Sequence, residues 1–292
     1  MISYIEPVFR PPSEWKSLIL QVSNGCSWNR CSFCDMYTQE QKKFRAHKVD
    51  KIEQDILAAA ASGHSISRVF LADGDAMTLP FKRLKEICQL INKHLPSVTR
   101  ISSYCLPRNL SNKTVEQLTE LRQMGLSLLY VGCESGDNEV LRRIEKGEDF
   151  DSSLAALNKI KQAGIKSSVM ILMGLGGKSL SLQHAKASAE LMNAAQPEYL
   201  STLVVTLPLG TDRMDAAFDG HFELPDQIGL LDEMQTLLAN LELDKTIFRS
   251  DHASNYLVLK GVLGKDKPQL LAQVNQAMQG MVPLRQEWQR GL

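Results

Sequence analysis

The chain has 292 residues, of which 33 are basic and 33 acidic, so its formal net charge is zero. This balance excludes an overall field that would favour nucleic acid, an anionic membrane or an acidic partner. Its apolar runs are too short for a membrane span, and the N-terminus lacks the basic and apolar regions of a signal peptide. We therefore expect a cytoplasmic protein whose length, near the roughly 250–300 residues of the largest single cores, suits one large domain.

Strand-like and helix-like segments alternate along most of the chain. The predicted strands are 17–22, 68–72, 98–104, 126–132, 167–173 and 199–206. The predicted helices are 51–61, 81–92, 113–124, 139–145, 152–163 and 180–194. Because a helix between consecutive strands favours parallel pairing with right-handed crossovers, the pattern predicts an α/β fold, either a doubly wound sheet or a closed or partial barrel.

The tail has a less regular pattern, with a predicted helix at 227–241, a strand at 245–249 and a helix at 268–278. We expect three parts: an N-terminal extension at 1–16, a core at 17–210, and a C-terminal extension at 211–292 that completes or caps the sheet. Ligands of such folds bind at the carboxyl ends of the parallel strands. The functional residues are therefore expected just after the predicted strands.

Three of the six cysteines lie within nine positions, as Cys26, Cys31 and Cys34 in the pattern C-x4-C-x2-C, while the others are scattered. Six cysteines in a chain of this length are too few for a disulfide scaffold, so the group indicates metal binding or redox chemistry. Three thiolates on one loop can bind three irons of a cubane and leave the fourth iron open to another ligand.

Two other interpretations of this loop remain open. Structural zinc normally takes four ligands, which Cys133 or a histidine would have to complete from elsewhere in the fold. A thioredoxin-like pair at Cys31 and Cys34 would leave Cys26 without a role. A binding or regulatory module that holds zinc or a cluster without catalysis is therefore the alternative to an enzyme.

The loop, with Phe33 just before its last cysteine, resembles the signature of the radical S-adenosylmethionine (radical SAM) superfamily, whose commonest spacing has three residues between the first two cysteines instead of four. Further segments resemble that family in the right order along the chain. They are VFLADGDA at 69–76, YVGCESGD at 130–137 with Lys146 and Gly147 after it, and VMILMGLGG at 169–177. The second is similar to the Elongator catalytic subunit, methylthiotransferases and coproporphyrinogen dehydrogenase.

The resemblance implies a partial (β/α)6 TIM-like barrel of parallel strands with a C-terminal extension. It also implies a [4Fe-4S] cluster on the three cysteines and S-adenosyl-L-methionine bound at the open iron. Glu134 or Ser135 would hydrogen-bond the cofactor and Lys146 would pair with its carboxylate. The full set of implied cofactor contacts is Gly74, Asp75, Ser103, Glu134, Ser135, Lys146 and Gly174.

The resemblance further implies reductive cleavage of S-adenosylmethionine to a 5'-deoxyadenosyl radical, which abstracts hydrogen from a substrate. The electron would come from a low-potential donor of the flavodoxin or ferredoxin type. The sequence does not identify the substrate, which we expect to be a small molecule or a peptide. His252, Asn255 and Tyr256 follow a late predicted strand and are the candidate substrate residues, although hydrogen bonding within a loop explains them equally well.

Overall fold

The computed structural model describes residues 2–290, in which helices alternate with strands. The strands are β1 (Leu18–Gln21), β2 (Ser23–Asn24), β3 (Arg45–Ala46), β4 (Arg68–Ala72), β5 (Arg100–Cys105), β6 (Leu126–Glu134), β7 (Lys166–Met173), β8 (Tyr199–Val204), β9 (Ile247–Ser250) and β10 (Leu259–Val262). The helices are α1 (Val49–Ala60), α2 (Phe81–His94), α3 (Val115–Gln123), α4 (Asn138–Arg143), α5 (Phe150–Gln162), α6 (Gly177–Ala195), α7 (Asp212–Ala217), α8 (Gln227–Asn240) and α9 (Leu263–Met278).

The described chain divides into two compact units, of which the first comprises the residues through Asn29, Met36–Val131 and Asn158–Ser167. In this unit β1, β4, β5 and β6 are neighbours in that order, and each neighbouring pair is parallel. A short antiparallel ladder joins β2 to β3. Because β2 precedes the cysteines and β3 follows them, this ladder closes the cysteine segment into a loop.

The second unit comprises Arg30–Asp35, Gly132–Leu157 and the described residues from Ser168 onward. Here β7, β8 and β9 are successive parallel neighbours, and β10 is antiparallel to β9. The parallel strands and intervening helices confirm the predicted α/β class. The proposed division of the chain at residues 17 and 210 remains a prediction.

Local sequence explains why several helices begin where they do. Thr114 and Gln117 form a capping box at the start of α3, each accepting from the backbone N–H of the other. Asp137 accepts from the Val140 N–H at 2.9 Å at the start of α4. These side chains satisfy backbone donors that the first helical turn leaves without an intrahelical partner.

The tail departs most from the sequence-based expectation. The short elements α7 and β10 were not predicted, because neither is long enough to show a hydrophobic period. Helix α9 begins at Leu263, five residues before the predicted start at Pro268. Asp266 accepts from the Val262 N–H at 2.8 Å and so supports a helix start ahead of the proline.

Within 2–290, no helix combines the length and the apolar character that a bilayer crossing requires.

Candidate active site

The cysteines of the C-x4-C-x2-C loop differ from the other three in their surroundings. All three loop cysteines are half-buried, whereas the remaining cysteines are buried, and none of the six forms a disulfide bond. Burial raises the pKa of the Cys88 and Cys133 thiols to about 12. Such thiols stay protonated near neutral pH and are poor metal ligands, since the thiolate is the ligating form. The loop therefore carries the thiols that are accessible to a metal.

No three His, Cys, Asp or Glu side chains within 2–290 are gathered into a preformed metal site. The loop offers three half-buried sulfur donors within nine positions, and none of them is used in a disulfide. This donor set fits a cubane cluster that keeps one iron open to a further ligand.

In the first unit, Asp75 follows β4 and is fully buried. Ser27, the residue after Cys26, donates to Oδ2 of Asp75 through its hydroxyl and, at 3.3 Å, through its N–H. Oδ1 has no hydrogen-bond partner among the described residues. Burial raises the pKa of Asp75 to about 6, although Ser27, Asn109 and Arg108 oppose the rise. One acceptor of this carboxylate thus remains available to a ligand.

A buried ion pair lies at the same end of β4. The Lys42 ammonium contacts the Asp73 carboxylate and also donates to the Ile5 carbonyl at 2.9 Å. Tyr37 donates its phenol proton to Oδ1 of Asp73 at 3.1 Å. A β-carbon at Gly74 would lie 2.5 Å from the Tyr37 ring, so the close approach of this ring requires glycine. These contacts hold the segment that follows Cys34, including Tyr37 and Lys42, at the end of β4.

Two predicted cofactor contacts already use their hydroxyl groups within the fold. Ser103 is buried on β5 in the first unit and donates to the Leu71 carbonyl at 3.1 Å. In the second unit, Ser135 lies 2.7 Å from Nδ1 of His184, whose Nε2 lies 3.0 Å from the Leu172 carbonyl. A carbonyl only accepts, so Nε2 donates to it, and Nδ1 pairs with the Ser135 hydroxyl. Both serines therefore stabilise neighbouring strands and helices.

Glu134 and Lys146 pair with each other in the second unit. The Lys146 ammonium lies 3.0 Å from Oε1 of Glu134, and both side chains are largely buried. Burial lowers the pKa of Lys146, but the Glu134 charge and the Cys31 sulfur raise it, and the net direction is upward. A β-carbon at residue 132 would lie 2.3 Å from Oε1 of Glu134, so Gly132 makes room for the pair. The predicted partner of Lys146 was the cofactor carboxylate, whereas its partner in the protein is Glu134.

The second half of the cysteine loop has its own contacts in the second unit. Phe33 packs against the apolar cluster that includes Val140 and Ile144, and the Ser32 N–H donates to the Ile144 carbonyl at 3.0 Å. The Lys146 ammonium lies 6.0 Å from the centre of the Phe33 ring. The aromatic residue before the last cysteine therefore anchors the loop in the hydrophobic core.

Arg213 of α7 hydrogen-bonds the backbone of this second half of the cysteine loop. It donates to the Cys31 carbonyl at 3.4 Å and the Cys34 carbonyl at 3.1 Å, and its guanidinium also contacts the Asp35 carboxylate. Sequence reasoning did not identify this residue, because it is far from the loop along the chain and lies in a short helix without a clear pattern. Only the folded chain brings the guanidinium to these carbonyls.

Gly174 follows β7 in the left-handed region, with φ near +82°, where glycine is favoured. Its N–H donates to Oε1 of the buried Glu233 at 2.6 Å, and Ser181 donates to the other carboxylate oxygen. Burial raises the pKa of Glu233, against the opposing effect of His184. Although Ser135, His184 and Glu233 lie together, all three are buried, and the histidine Nε2 is 3.8 Å from the carboxylate. The group is a buried polar network in the fold and lacks the accessible serine of a hydrolase triad.

Two of the three tail candidates are engaged in holding their own loop. His252 accepts the Ser254 N–H at Nδ1 at 3.2 Å, and burial lowers its pKa. Tyr256 donates to Glu287 at 2.6 Å, and the Arg290 guanidinium lies 3.9 Å from the centre of its ring. These contacts favour a structural role for the two side chains.

Asn255 has a different environment from its neighbours. Its Nδ2 donates to the Thr202 carbonyl of β8 at 2.8 Å, and only 2% of the residue is exposed. Its Oδ1 has no hydrogen-bond partner within the described part of the chain. Of the three tail candidates, Asn255 thus keeps a buried polar atom that a ligand could use.

The sequence matches the Radical SAM superfamily over residues 20–186, which is more than half of the chain. The chain belongs to this superfamily. The matched region contains the three loop cysteines and all seven predicted cofactor contacts. Radical SAM proteins use a [4Fe-4S] cluster and S-adenosylmethionine and need an electron donor.

Similar proteins include 4'-phospho-dehydrooxetanocin synthase of Priestia megaterium, which is 26% identical over 54% of this chain and 23% of that protein. The heme chaperone HemW of Bacillus subtilis is 21% identical over 73% of this chain and 56% of that protein. This radical SAM chain therefore spans only about a quarter to just over half of the length of these curated relatives. The structure of coproporphyrinogen III oxidase (HemN) from Escherichia coli has a similar fold, with a TM-score of 0.57 and 24% identity over 76% of this chain and 51% of that one.

Proposed function

We propose that this chain holds a [4Fe-4S] cluster on Cys26, Cys31 and Cys34 and cleaves S-adenosylmethionine reductively. The observation that carries the proposal is the superfamily match, which spans a loop whose three thiols are half-buried while the other three are buried. When bound, the two cofactors supply a 5'-deoxyadenosyl radical able to abstract hydrogen from an unactivated carbon. The residues of this chain then have to bind the cofactors, orient the substrate and exclude water.

Among the proposed S-adenosylmethionine contacts, Asp75 is the side chain best prepared to bind a cation. No described residue hydrogen-bonds its buried Oδ1, and such burial is costly unless a ligand or water completes the hydrogen bond. We therefore assign Asp75 to a donor on the cofactor, such as its ammonium group. Gly74 and Gly174 would contribute backbone groups at the ends of their strands.

Glu134 and Lys146 are proposed to contact the cofactor as a pair. Each neutralises the other, which allows both to remain buried at the end of β6. A zwitterionic amino acid could bind across such a pair, its ammonium at the carboxylate and its carboxylate at the ammonium. Ser103 and Ser135 are proposed to act indirectly by holding the elements around them in place, because Ser103 donates to the Leu71 carbonyl and Ser135 pairs with His184.

The proposed reaction also needs an electron source and a substrate. We propose a low-potential donor of the flavodoxin or ferredoxin type and a small-molecule or peptide substrate. Asn255 is the tail residue best supported as a substrate contact, whereas His252 and Tyr256 are proposed to hold its loop. The cytoplasmic location expected from the sequence remains a prediction.

The proposal is tested by reconstituting the full chain anaerobically with iron and sulfide, adding S-adenosylmethionine and dithionite, and quantifying 5'-deoxyadenosine. We expect product from the wild type and from Cys88→Ala, whose buried thiol is not a ligand. Cys26→Ala, Cys31→Ala and Cys34→Ala should each lose the brown cluster absorbance and the product, since each thiolate supplies one iron bond.

Two results would contradict the proposal. Full cluster retention in Cys31→Ala would remove this cysteine from the ligand set. Stoichiometric zinc without acid-labile sulfide in anaerobically purified protein would support the non-catalytic zinc module instead.

A further inference from the structure

In the first unit, the residues that follow Cys26 are held by side chains from outside the cysteine loop. Ser27 donates to Oδ2 of Asp75 through its hydroxyl and, at 3.3 Å, through its N–H. The guanidinium carbon of Arg108 lies 3.7 Å from the centre of the Trp28 ring, which is the stacked geometry of a cation–π contact. Since Asp75 follows β4 and Arg108 follows β5, the ends of two neighbouring strands fix the Cys26 side of the loop.

The backbone directly after Trp28 is also held in place. Asn29 has φ near +44°, in the left-handed region that asparagine adopts more readily than most residues. Its Nδ2 donates to the Tyr37 carbonyl at 3.0 Å. This hydrogen bond fixes the turn that follows Trp28, so the half-buried indole has a defined orientation under Arg108.

Arg108 itself projects from a well-anchored turn. It belongs to the 3-10 helix Pro107–Leu110 that follows β5. The buried Lys113 donates to the Asn109 carbonyl of this helix at 2.9 Å and to the Met77 carbonyl at 2.8 Å. Because Met77 lies in the turn after β4, Lys113 joins the ends of the two strands that hold the loop. The arginine therefore stacks on Trp28 from a fixed base.

The stack also places a permanent positive charge next to the cysteine loop, because a guanidinium stays protonated at any pH the protein would experience. Burial raises the pKa of Asp75, and the Arg108 charge opposes the rise, so the charge acts where Ser27 binds. An iron–sulfur cluster gains one negative charge on reduction. Its reduction potential responds to the charges around it, and a nearby cation stabilises the reduced form.

We propose that Arg108 is a positioning residue for the cluster: it holds the Cys26 side of the loop through Trp28, and its charge favours the reduced cluster. The inference rests on the proposed function, since the charge affects a reduction potential only when the loop holds a cluster. The redox step concerned is the uptake of one electron by the cluster from the proposed low-potential donor. The guanidinium offsets part of the negative charge that this electron adds.

Hydrogen–deuterium exchange of the cluster-free full chain, measured on peptides that cover 24–30, tests the positioning. Arg108→Gln and Trp28→Leu should each make exchange about two- to fivefold faster, the size expected from one cation–π contact. The double variant should exchange no faster than either single variant, because both changes remove the same contact. Arg122→Gln is the matched control: it removes another first-unit arginine, which donates to the Gly164 carbonyl, and should exchange like the wild type.

The midpoint potential of the reconstituted cluster, followed by electron paramagnetic resonance during a redox titration, tests the role of the charge. Arg108→Gln should have a more negative potential than the wild type. Arg108→Lys keeps the charge and should stay close to the wild-type potential, as should Arg122→Gln. A residue that only supported the fold would not separate the lysine variant from the glutamine variant in this measurement.

Wild-type exchange rates in both Arg108→Gln and Trp28→Leu would overturn the inference, and so would equal potentials in Arg108→Gln and the wild type. If Arg108→Gln folds poorly, Trp28→Leu decides the exchange test, because Trp28 is only half-buried. Wild-type protein that binds no cluster would contradict the proposed function and the effect on the potential. Faster exchange in Arg108→Gln would still support the positioning of the loop, since that experiment needs no cluster.

Discussion

The candidate ligand-binding groups of the first unit and those of the second differ in how their charges are satisfied. In the first unit, Asp75 is buried, has a raised pKa, and has one oxygen that no described residue hydrogen-bonds. In the second, Glu134 is paired with Lys146, and Asp35 is paired with Arg213. Asp75 and Glu134, each at the carboxyl end of a parallel strand, thus have different electrostatic states. The unpartnered group is ready for a cationic ligand, whereas the paired groups stabilise the protein in the absence of a ligand.

The largest effect is expected from breaking the buried pair. Lys146→Met leaves the Glu134 carboxylate buried without its cation, which should lower the free energy of unfolding by about 3–5 kcal/mol. The double variant Glu134→Gln with Lys146→Met should recover most of this loss, since no uncompensated charge remains. Denaturant unfolding followed by circular dichroism measures both changes. A loss below about 1 kcal/mol would show that Glu134 is solvated in solution.

Asp75→Asn should change stability and cofactor binding in opposite directions. The pKa of Asp75 is raised from 3.8 to about 6, so the folded state binds the proton more tightly and the carboxylate costs stability once it ionises. Stability should fall as pH rises from about 4 to 6, and the variant should be more stable at pH 8 by up to about 3 kcal/mol.

The same variant should bind S-adenosylmethionine roughly tenfold more weakly, because an amide is a weaker acceptor for a cation. Calorimetric titration of the reconstituted protein measures the affinity. Asp226→Asn, a carboxylate-to-amide change at the start of α8, is the control and should leave the affinity unchanged. If Asp75→Asn binds the cofactor like the wild type, Asp75 does not contact it.

Arg213→Ala should destabilise the conformation of the second half of the cysteine loop. The variant loses hydrogen bonds to the Cys31 and Cys34 carbonyls, but nearly half of the Arg213 side chain is exposed, so solvent screens much of the energy. We expect iron release to a chelator to become about threefold faster. Lys178→Ala removes another exposed cation that pairs with Glu223, and it should release iron at the wild-type rate. Identical release from both variants would contradict the role of Arg213.

His252 should affect stability and its dependence on pH. Because burial lowers the pKa of this histidine, the folded state favours the neutral imidazole, and stability should fall as pH drops below about 6.5. This slope is opposite in sign to that expected for Asp75. His252→Ala should flatten the slope and cost about 1 kcal/mol at neutral pH through loss of the Ser254 contacts. Thermal unfolding at several pH values checks both, and an unaltered slope would assign the pH dependence to other groups.

Most of the core elements could be predicted from local sequence. The predicted strand at 68–72 coincides with β4, and the predicted helix at 81–92 differs from α2 only at its end. Periodicity identifies such segments because each is long enough to show which side faces the core. The short α7 and β10 have no such signal, and α9 begins before the proline that was expected to start it.

The sequence by itself determined the α/β alternation, the cysteine loop and the family, because these depend on periodicity and spacing along the chain. Only the tertiary structure decided which polar groups are satisfied. It paired Lys146 with Glu134 and brought Arg213 to the cysteine carbonyls. Among the residues 2–290, it left Oδ1 of Asp75 and Oδ1 of Asn255 without a hydrogen-bond partner. Hydrogen bonds and pKa values depend on burial and on which distant residues fold to within about 3 Å. Neither condition can be read from the order of the residues.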